Sequence, residues 1–201
     1  MPANRLPAID VLRALTMFLM IFVNDLWTLS GVPAWLEHAP AGADQLGFSD
    51  IIFPAFLFIV GLSIPLAIRH RLEKGEGRRE VARHIIGRSA ALLLMGVFHV
   101  NLEHYSPASL LPKDVWEIAI TLAFFLVWLD YPKNKKRLRL LLRWLGILLL
   151  IILGILYRGH GSLDQVIWMR PWWWGILGLI GWAYLFSAFL YLFIRNKKHY
   201  F

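Results

Sequence analysis

Six stretches of this chain are dominated by apolar side chains, at about 9–29, 51–68, 85–102, 115–129, 142–157 and 174–194. Crossing the hydrocarbon of a bilayer takes roughly 20 such residues, with a range of about 17–25. The first, second, third and sixth runs reach that length. The fourth and fifth are shorter, so they are expected to borrow flanking residues or to lie among other helices. Backbone polar groups in lipid must be satisfied within the segment, which selects helices for runs of this kind. The predicted fold is therefore all-α: a polytopic membrane helix bundle of about six transmembrane helices in one domain, 1–201. Gly175, Gly178 and Gly181 form a stripe of small residues that would let a neighbouring helix approach closely. The triplet Trp172–Trp174 suits the aromatic belt at a membrane surface. The first run exceeds the ~7–15-residue core of a signal peptide and no small-residue cleavage site follows, so a retained span is expected.

The positive charges sort between alternate connections. Arg5, the series Arg69, Arg71, Lys74, Arg78, Arg79, Arg83 and Arg88, the series Lys133, Lys135, Lys136, Arg137, Arg139 and Arg143, and the tail Arg195, Lys197 and Lys198 fall on one side. Lys113, Arg158 and Arg170 fall on the other. Loops rich in Lys and Arg stay in the cytoplasm. Both termini are then expected inside, with 31–50, 103–114 and 158–173 outside. Composition agrees: 58% of residues are hydrophobic and mean hydropathy is +0.57, against roughly 45–50% apolar in soluble domains. The net charge of +8 is explained by those cytoplasmic connections. It is divided among short loops and carries no nucleic-acid-binding motif, so nucleic acid is not an expected partner. Cysteine is absent, which excludes disulfides, thiolate metal sites and Cys nucleophiles.

Chemistry-bearing residues gather at the ends of the spans. His38 stands in the first outer loop, where an imidazole can take a proton from an acceptor, accept an acyl group, or simply sit in solvent. Asp50 opens the second span, placed to cap that helix, to orient a nearby imidazole, or both. Asn24 and Asp25 end the first span; Asn24 could hydrogen-bond a carbonyl or merely mark where the helix leaves the bilayer. His99 and Glu103, four apart, would share a helix face, but one such pair is a weak metal signal and no metal is expected. Glu117 and Asp164 are readable as solvated charges. Asp10 and Arg13 are three apart and should pair, which makes charges at membrane depth tolerable. Arg69, Arg71, Arg83 and Arg88, read as part of an inner loop over 69–88, would suit a phosphorylated ligand because guanidinium forks match phosphate geometry.

Several of these residues fall into a recognisable order. Arg5…Ile9-Asp10-Val11-Leu12-Arg13, then Met17…Ile21-Phe22-Val23-Asn24, His38, and Phe48-Ser49-Asp50-Ile51-Ile52-Phe53-Pro54 through Gly61-Leu62-Ser63 resemble the heparan-α-glucosaminide N-acetyltransferase family. This is a group of transmembrane acyltransferases with many bacterial members. The likeness continues from Arg88 through Gly96 to Asn101, about the first half of the chain, with a further patch at Gly178–Trp182. Ala14 and Glu117 depart from the family pattern. The resemblance implies transfer of an acetyl group from cytosolic acetyl-CoA to an amino sugar or glycan across the membrane. It implies a catalytic role for His38, an acetyl-transfer site at Asn24, and a supporting role for Asp50. It also implies a fold of ten or eleven spans, of which this chain is the N-terminal part or a shortened form.

Two readings follow. In the first, an integral protein of a bacterial cytoplasmic (inner) membrane uses His38, Asp50 and Asn24 for acetyl transfer, with Arg69, Arg71, Arg83 and Arg88 near the phosphates of acetyl-CoA. Its partners are lipid, acetyl-CoA and a sugar acceptor; a homo-oligomer is compatible with the sequence. In the second, the chain is a non-catalytic scaffold or transporter half whose polar residues line a path, with Pro54 and Pro65 as the suggestive helix breaks. The topology is testable directly, because the chain lacks Cys. A membrane-impermeant maleimide added to intact cells should label Ala43→Cys, and should label Lys74→Cys only after permeabilisation; the reverse pattern would invert the orientation.

Overall fold

A computed structural model of the chain describes residues 7–26, 28–40, 42–132, 134–161 and 165–195. Arg5, Lys133, Asp164, Lys197 and Lys198, named above, lie outside the described residues. Six helices follow one another: α1 (Pro7–Leu26), α2 (Phe48–Glu73), α3 (Arg78–Val100), α4 (Lys113–Trp128), α5 (Lys136–Leu156) and α6 (Gly175–Ile194). Between α5 and α6 a two-residue hairpin, β1 (Gly159–His160) and β2 (Val166–Ile167), pairs antiparallel with Gly159 opposite Ile167. The fold is an all-α membrane bundle.

Among the described residues five helices are long and apolar enough to span a bilayer; α4 is not one of them. Its 16 residues reach only about 24 Å at 1.5 Å per residue, short of a ~30 Å hydrocarbon core. Pro112 stands at its start and Leu129, out of helical conformation, at its end. The stretch 69–88, expected as a loop, is helical except for the turn 74–77. Arg69 and Arg71 belong to α2, while Arg83 and Arg88 belong to α3. α2 runs unbroken through Pro54 and Pro65. The expected shared helix face of His99 and Glu103 does not form, since α3 ends at Val100 and Glu103 lies in the following turn. His99 Nδ1 instead meets the Met95 carbonyl at 2.8 Å.

The chain divides into two compact units, 1–89 with 182–201, and 90–181. In the first, α1 lies against α2 through Val23, Leu26 and Ile52, and a second cluster joins Ile64, Ile68, Val81, Ile85, Ala188 and Leu192. Arg13 sits 3.6 Å from Asp10 and donates to Ser63 Oγ at 2.9 Å, so its charge at membrane depth is partnered twice.

In the second unit, Trp116, Ile120, Phe124, Leu153, Tyr157 and Phe98 form the core. Gly96 is required by close approach: a Cβ there would collide with the backbone at Trp174 and Gly178. This is the contact expected of the glycine stripe. Asn101 is fully buried and holds the chain end to end: its Nδ2 donates to the Val97 and Arg170 carbonyls, and its Oδ1 accepts from Arg170 N–H and Trp172 Nε1. Tyr157 Oη donates to the Asn101 carbonyl at 2.9 Å.

Burial pushes the Tyr157 phenol up to about 12. A phenol raised in the folded state supports folding fully below its ordinary value of about 10 and loses that support as pH climbs through the raised value. Tyr157→Phe should lower stability by about 1 kcal/mol. It should also flatten the fall in thermal midpoint expected of the parent protein between pH ~10 and ~12; an unchanged pH profile would assign any alkaline transition to another group.

Candidate functional site

The segment before α2 is sewn onto the start of that helix by backbone and side chain together. Phe48 N–H donates to the Trp35 carbonyl at 2.8 Å, and Ser49 Oγ donates to the Leu36 carbonyl at 2.6 Å. The Trp35 and Phe48 rings meet edge to face, with centroids 6.5 Å apart. Gly47 is the N-cap, and a Cβ there would collide with the Glu37 carbonyl oxygen. Only glycine lets the two strands of chain come this close.

Asp50, three residues after the cap, gathers the segment. Its Oδ2 accepts from Gly47 N–H at 2.9 Å and from Ala39 N–H at 3.0 Å. Its Oδ1 lies 2.6 Å from His38 Nδ1. The bond to Gly47 is the carboxylate half of a capping box, and the negative charge suits the positive end of the helix dipole. A carboxylate only accepts, so Nδ1 carries the proton and the Nε2 atom of neutral His38 carries the lone pair. The His38 side chain is 42% exposed and that of Asp50 22%. The arrangement is a positioned base: a fixed imidazole, oriented by a carboxylate that is itself fixed by two backbone donors.

A cavity of about 200 Å³ opens beside the pair, lined by Val23, Leu26, Leu29, Glu37, His38 and Ser49. Asn24, in the last turn of α1, is exposed and does not line it. The expected guanidinium group is distributed along the far end of α2 and the start of α3. Arg69 pairs with Glu73 and Arg71 with Glu76, both at 2.6 Å. Arg88 lies over the Tyr184 ring, 5.3 Å from its centroid. Arg83 is exposed and makes no ion pair among the described residues. Among the described residues no group of three or more His, Asp or Glu is placed to hold a metal ion.

Sequence reasoning brought His38 and Asp50 forward but passed over Glu37, Gly47 and the bond from Ser49. Gly47 was readable as a cap, standing just before an acidic residue at the third helical position. Nothing in the sequence announced its approach to Glu37. Gly47→Ala should destabilise the unit by about 1–3 kcal/mol, the usual cost of overpacking, and should speed proteolysis or hydrogen exchange within 35–39. Unchanged exchange there would mean that the segment is held by contacts other than these.

The same stretch is where known proteins match. The family model for heparan-α-glucosaminide N-acetyltransferase, catalytic, covers residues 5–105, about half of the chain. The heparan-α-glucosaminide N-acetyltransferase of Mus musculus is 36% identical over 100 residues, and that of Homo sapiens 34% identical over 98. These alignments take in 49% and 48% of this chain but only 14% of each relative's length. No solved structure gives a significant match. The matched residues include all of α1, α2 and α3 and both members of the His38–Asp50 pair, and on that footing the chain belongs to the heparan-α-glucosaminide N-acetyltransferase family.

Proposed function

We propose that the protein transfers an acetyl group from cytosolic acetyl-CoA to an amino sugar or glycan on the opposite side of a bacterial cytoplasmic membrane, and that His38 is the reacting base. The observation that carries this reading is the 2.6 Å contact between His38 Nδ1 and Asp50 at the head of a membrane-crossing helix. Asp50 fixes the tautomer, so Nε2 is the atom that takes the acceptor's proton as its nitrogen attacks the thioester carbonyl carbon. The thiolate then leaves and is protonated by the imidazolium. Asn24, at the end of α1, would hydrogen-bond the acyl oxygen as charge develops there. In an alternative order His38 first receives the acetyl group itself and passes it on.

Both termini lie in the cytoplasm in this reading, which puts the Arg-bearing ends of α2 and α3 on the donor's side. Asp50 and Arg69 are about 28 Å apart along α2 at 1.5 Å per residue, close to the ~30 Å hydrocarbon thickness. The basic end and the His38–Asp50 pair therefore suit opposite surfaces, as transfer across a membrane requires. Glu73 and Glu76 already satisfy Arg69 and Arg71. Exposed Arg83 is the readier contact for a phosphate, and Arg88 supplies further charge nearby in sequence. In the longer architecture implied by the family likeness, this chain would supply the part that carries the transfer site.

The test uses purified protein in nanodiscs with labelled acetyl-CoA and glucosamine. His38→Ala should lower transfer by about 10²–10⁴-fold, the usual contribution of a general base, with Asp50→Asn intermediate and Asn24→Ala affecting kcat more than KM. Full activity in His38→Ala would remove this assignment. Rapid-quench trapping of acetylated protein that disappears in His38→Ala would select the two-step order.

A further inference from the structure

Consecutive residues at the start of α2 hold the incoming segment at successive points. Phe48 N–H donates to the Trp35 carbonyl, Ser49 Oγ donates to the Leu36 carbonyl at 2.6 Å, and Asp50 Oδ2 accepts from Ala39 N–H at 3.0 Å. His38 lies between the last two anchors. Peptide units are planar and rigid, so the Leu36 carbonyl fixes the unit that enters Glu37, and Ala39 N–H fixes the unit that leaves His38. Only the φ and ψ of Glu37 and His38 remain between them. Ser49 is 3% exposed and lines the cavity beside His38. Its hydroxyl proton goes to Leu36, not to a carbonyl of its own helix, the common partner of a helical serine.

We propose that Ser49 is a positioning residue for His38: with its neighbour Asp50 it clamps the backbone on both sides of the imidazole. The inference rests on reading His38 as the transfer site and adds a residue on which that site depends. Asp50 alone holds the ring and the chain that follows it. Without the Ser49 bond, the chain before the ring is next anchored at Trp35, so the φ and ψ of Leu36 are released as well. The side chain of Leu36 packs with Val23, Leu26 and Ile52, and its carbonyl would be left without the hydroxyl. The ring would then approach Asp50 from a wider range of backbone positions and keep its 2.6 Å contact for less of the time. An oriented base loses rate steeply on displacement: about 1 Å costs up to ~10²-fold. Ser49 acts through His38 and needs no contact with the reacting atoms.

The experiment reads the tautomer of His38 by nitrogen-15 NMR of histidine-labelled protein in nanodiscs, alongside acetyl transfer from acetyl-CoA to glucosamine. The chain has 7 His, and the His38 signal is the one missing from His38→Gln. The parent should show Nδ1 protonated, as a carboxylate partner requires. Ser49→Ala removes only the hydroxyl and places a stronger helix former in α2, so the helix is retained. Its His38 signal should move toward the average of the two tautomers, and kcat should fall about tenfold with KM within about twofold. Ser49→Thr keeps the hydroxyl, with the cavity alongside to take its methyl group, and should match the parent in both.

A Ser49 that served stability alone would lower the thermal midpoint in Ser49→Ala and leave the tautomer and kcat as they were. That result overturns the proposal, as does an equal loss in Ser49→Thr and Ser49→Ala. Acetyl transfer measured on the same samples reports on the underlying reading. A parent that transfers no acetyl group, while Ser49→Ala still loses the tautomer, removes the acetyltransferase assignment and leaves the clamp. Transfer that is lost in His38→Gln but unchanged in Ser49→Ala removes Ser49 alone.

Discussion

A carboxylate at the edge of hydrocarbon is costly unless it is hydrogen-bonded. Asp50 meets that demand with three partners, in a way that organises the first unit. Gly47 and Ala39 give it backbone N–H groups, His38 gives it Nδ1, and the start of α2 gives it the positive end of a dipole. These partners come from both sides of the 40–46 stretch, so satisfying one side chain also closes that loop. Once closed, the loop brings the Glu37 carbonyl against Gly47 and lays Leu36 under Ser49. Glu37, His38 and Ser49 from this closure, with Val23, Leu26 and Leu29, line the cavity. Freeing Asp50 would therefore undo the helix cap, the loop and the imidazole's orientation together.

Membrane depth imposes the second constraint. Polar side chains on α1 and α2 are either paired or kept near helix ends. Arg13 is of the paired kind, held by Asp10 on its own helix and by Ser63 on its neighbour. Ser63 in turn donates to the Ile59 carbonyl at 2.8 Å, so the chain of donors ends on an acceptor already present in the helix. The unbroken course of α2 through Pro54 and Pro65 leaves no unwound backbone at midspan in that helix, which weakens the transporter reading, where discontinuous helices form the site.

Much of this was legible in the sequence because the bilayer enforces a simple code. Runs of apolar residues become helices, and five of the six expected spans are helices of sufficient length. The misreadings lie where the code stops. Arg69, Arg71, Arg83 and Arg88 looked like loop residues because they are charged, yet helical hydrogen bonding does not end where the hydrocarbon does. α2 and α3 simply continue through these charged turns. Glu103 was assigned to a helix that had already ended, since Asn101 turns its side chain to the backbone at 170 instead of continuing the helix. In the site, Asp50 and His38 were legible as residue types at an outer helix start. The roles of Gly47 and Glu37 depend on two segments touching, and no local pattern reports that.

The contrast between the two units says where function is to be sought. At one end of the second unit several polar side chains are spent on backbone groups. Asn101 makes four bonds, Tyr157 reaches the Asn101 carbonyl, and Ser109 Oγ donates to the Arg158 carbonyl. Trp172, bonded to Asn101, and Trp174, whose N–H donates to the Pro171 carbonyl, stand at φ 46° and 68°, a left-handed backbone that costs side-chain-bearing residues about 1–3 kcal/mol each. Such a closed network stabilises a turn. In the first unit one carboxylate, Asp50, holds His38 and two backbone N–H groups, beside a cavity that His38 and Glu37 line. Chemistry needs groups that folding has positioned, and the bond from Asp50 positions the His38 imidazole at the head of α2.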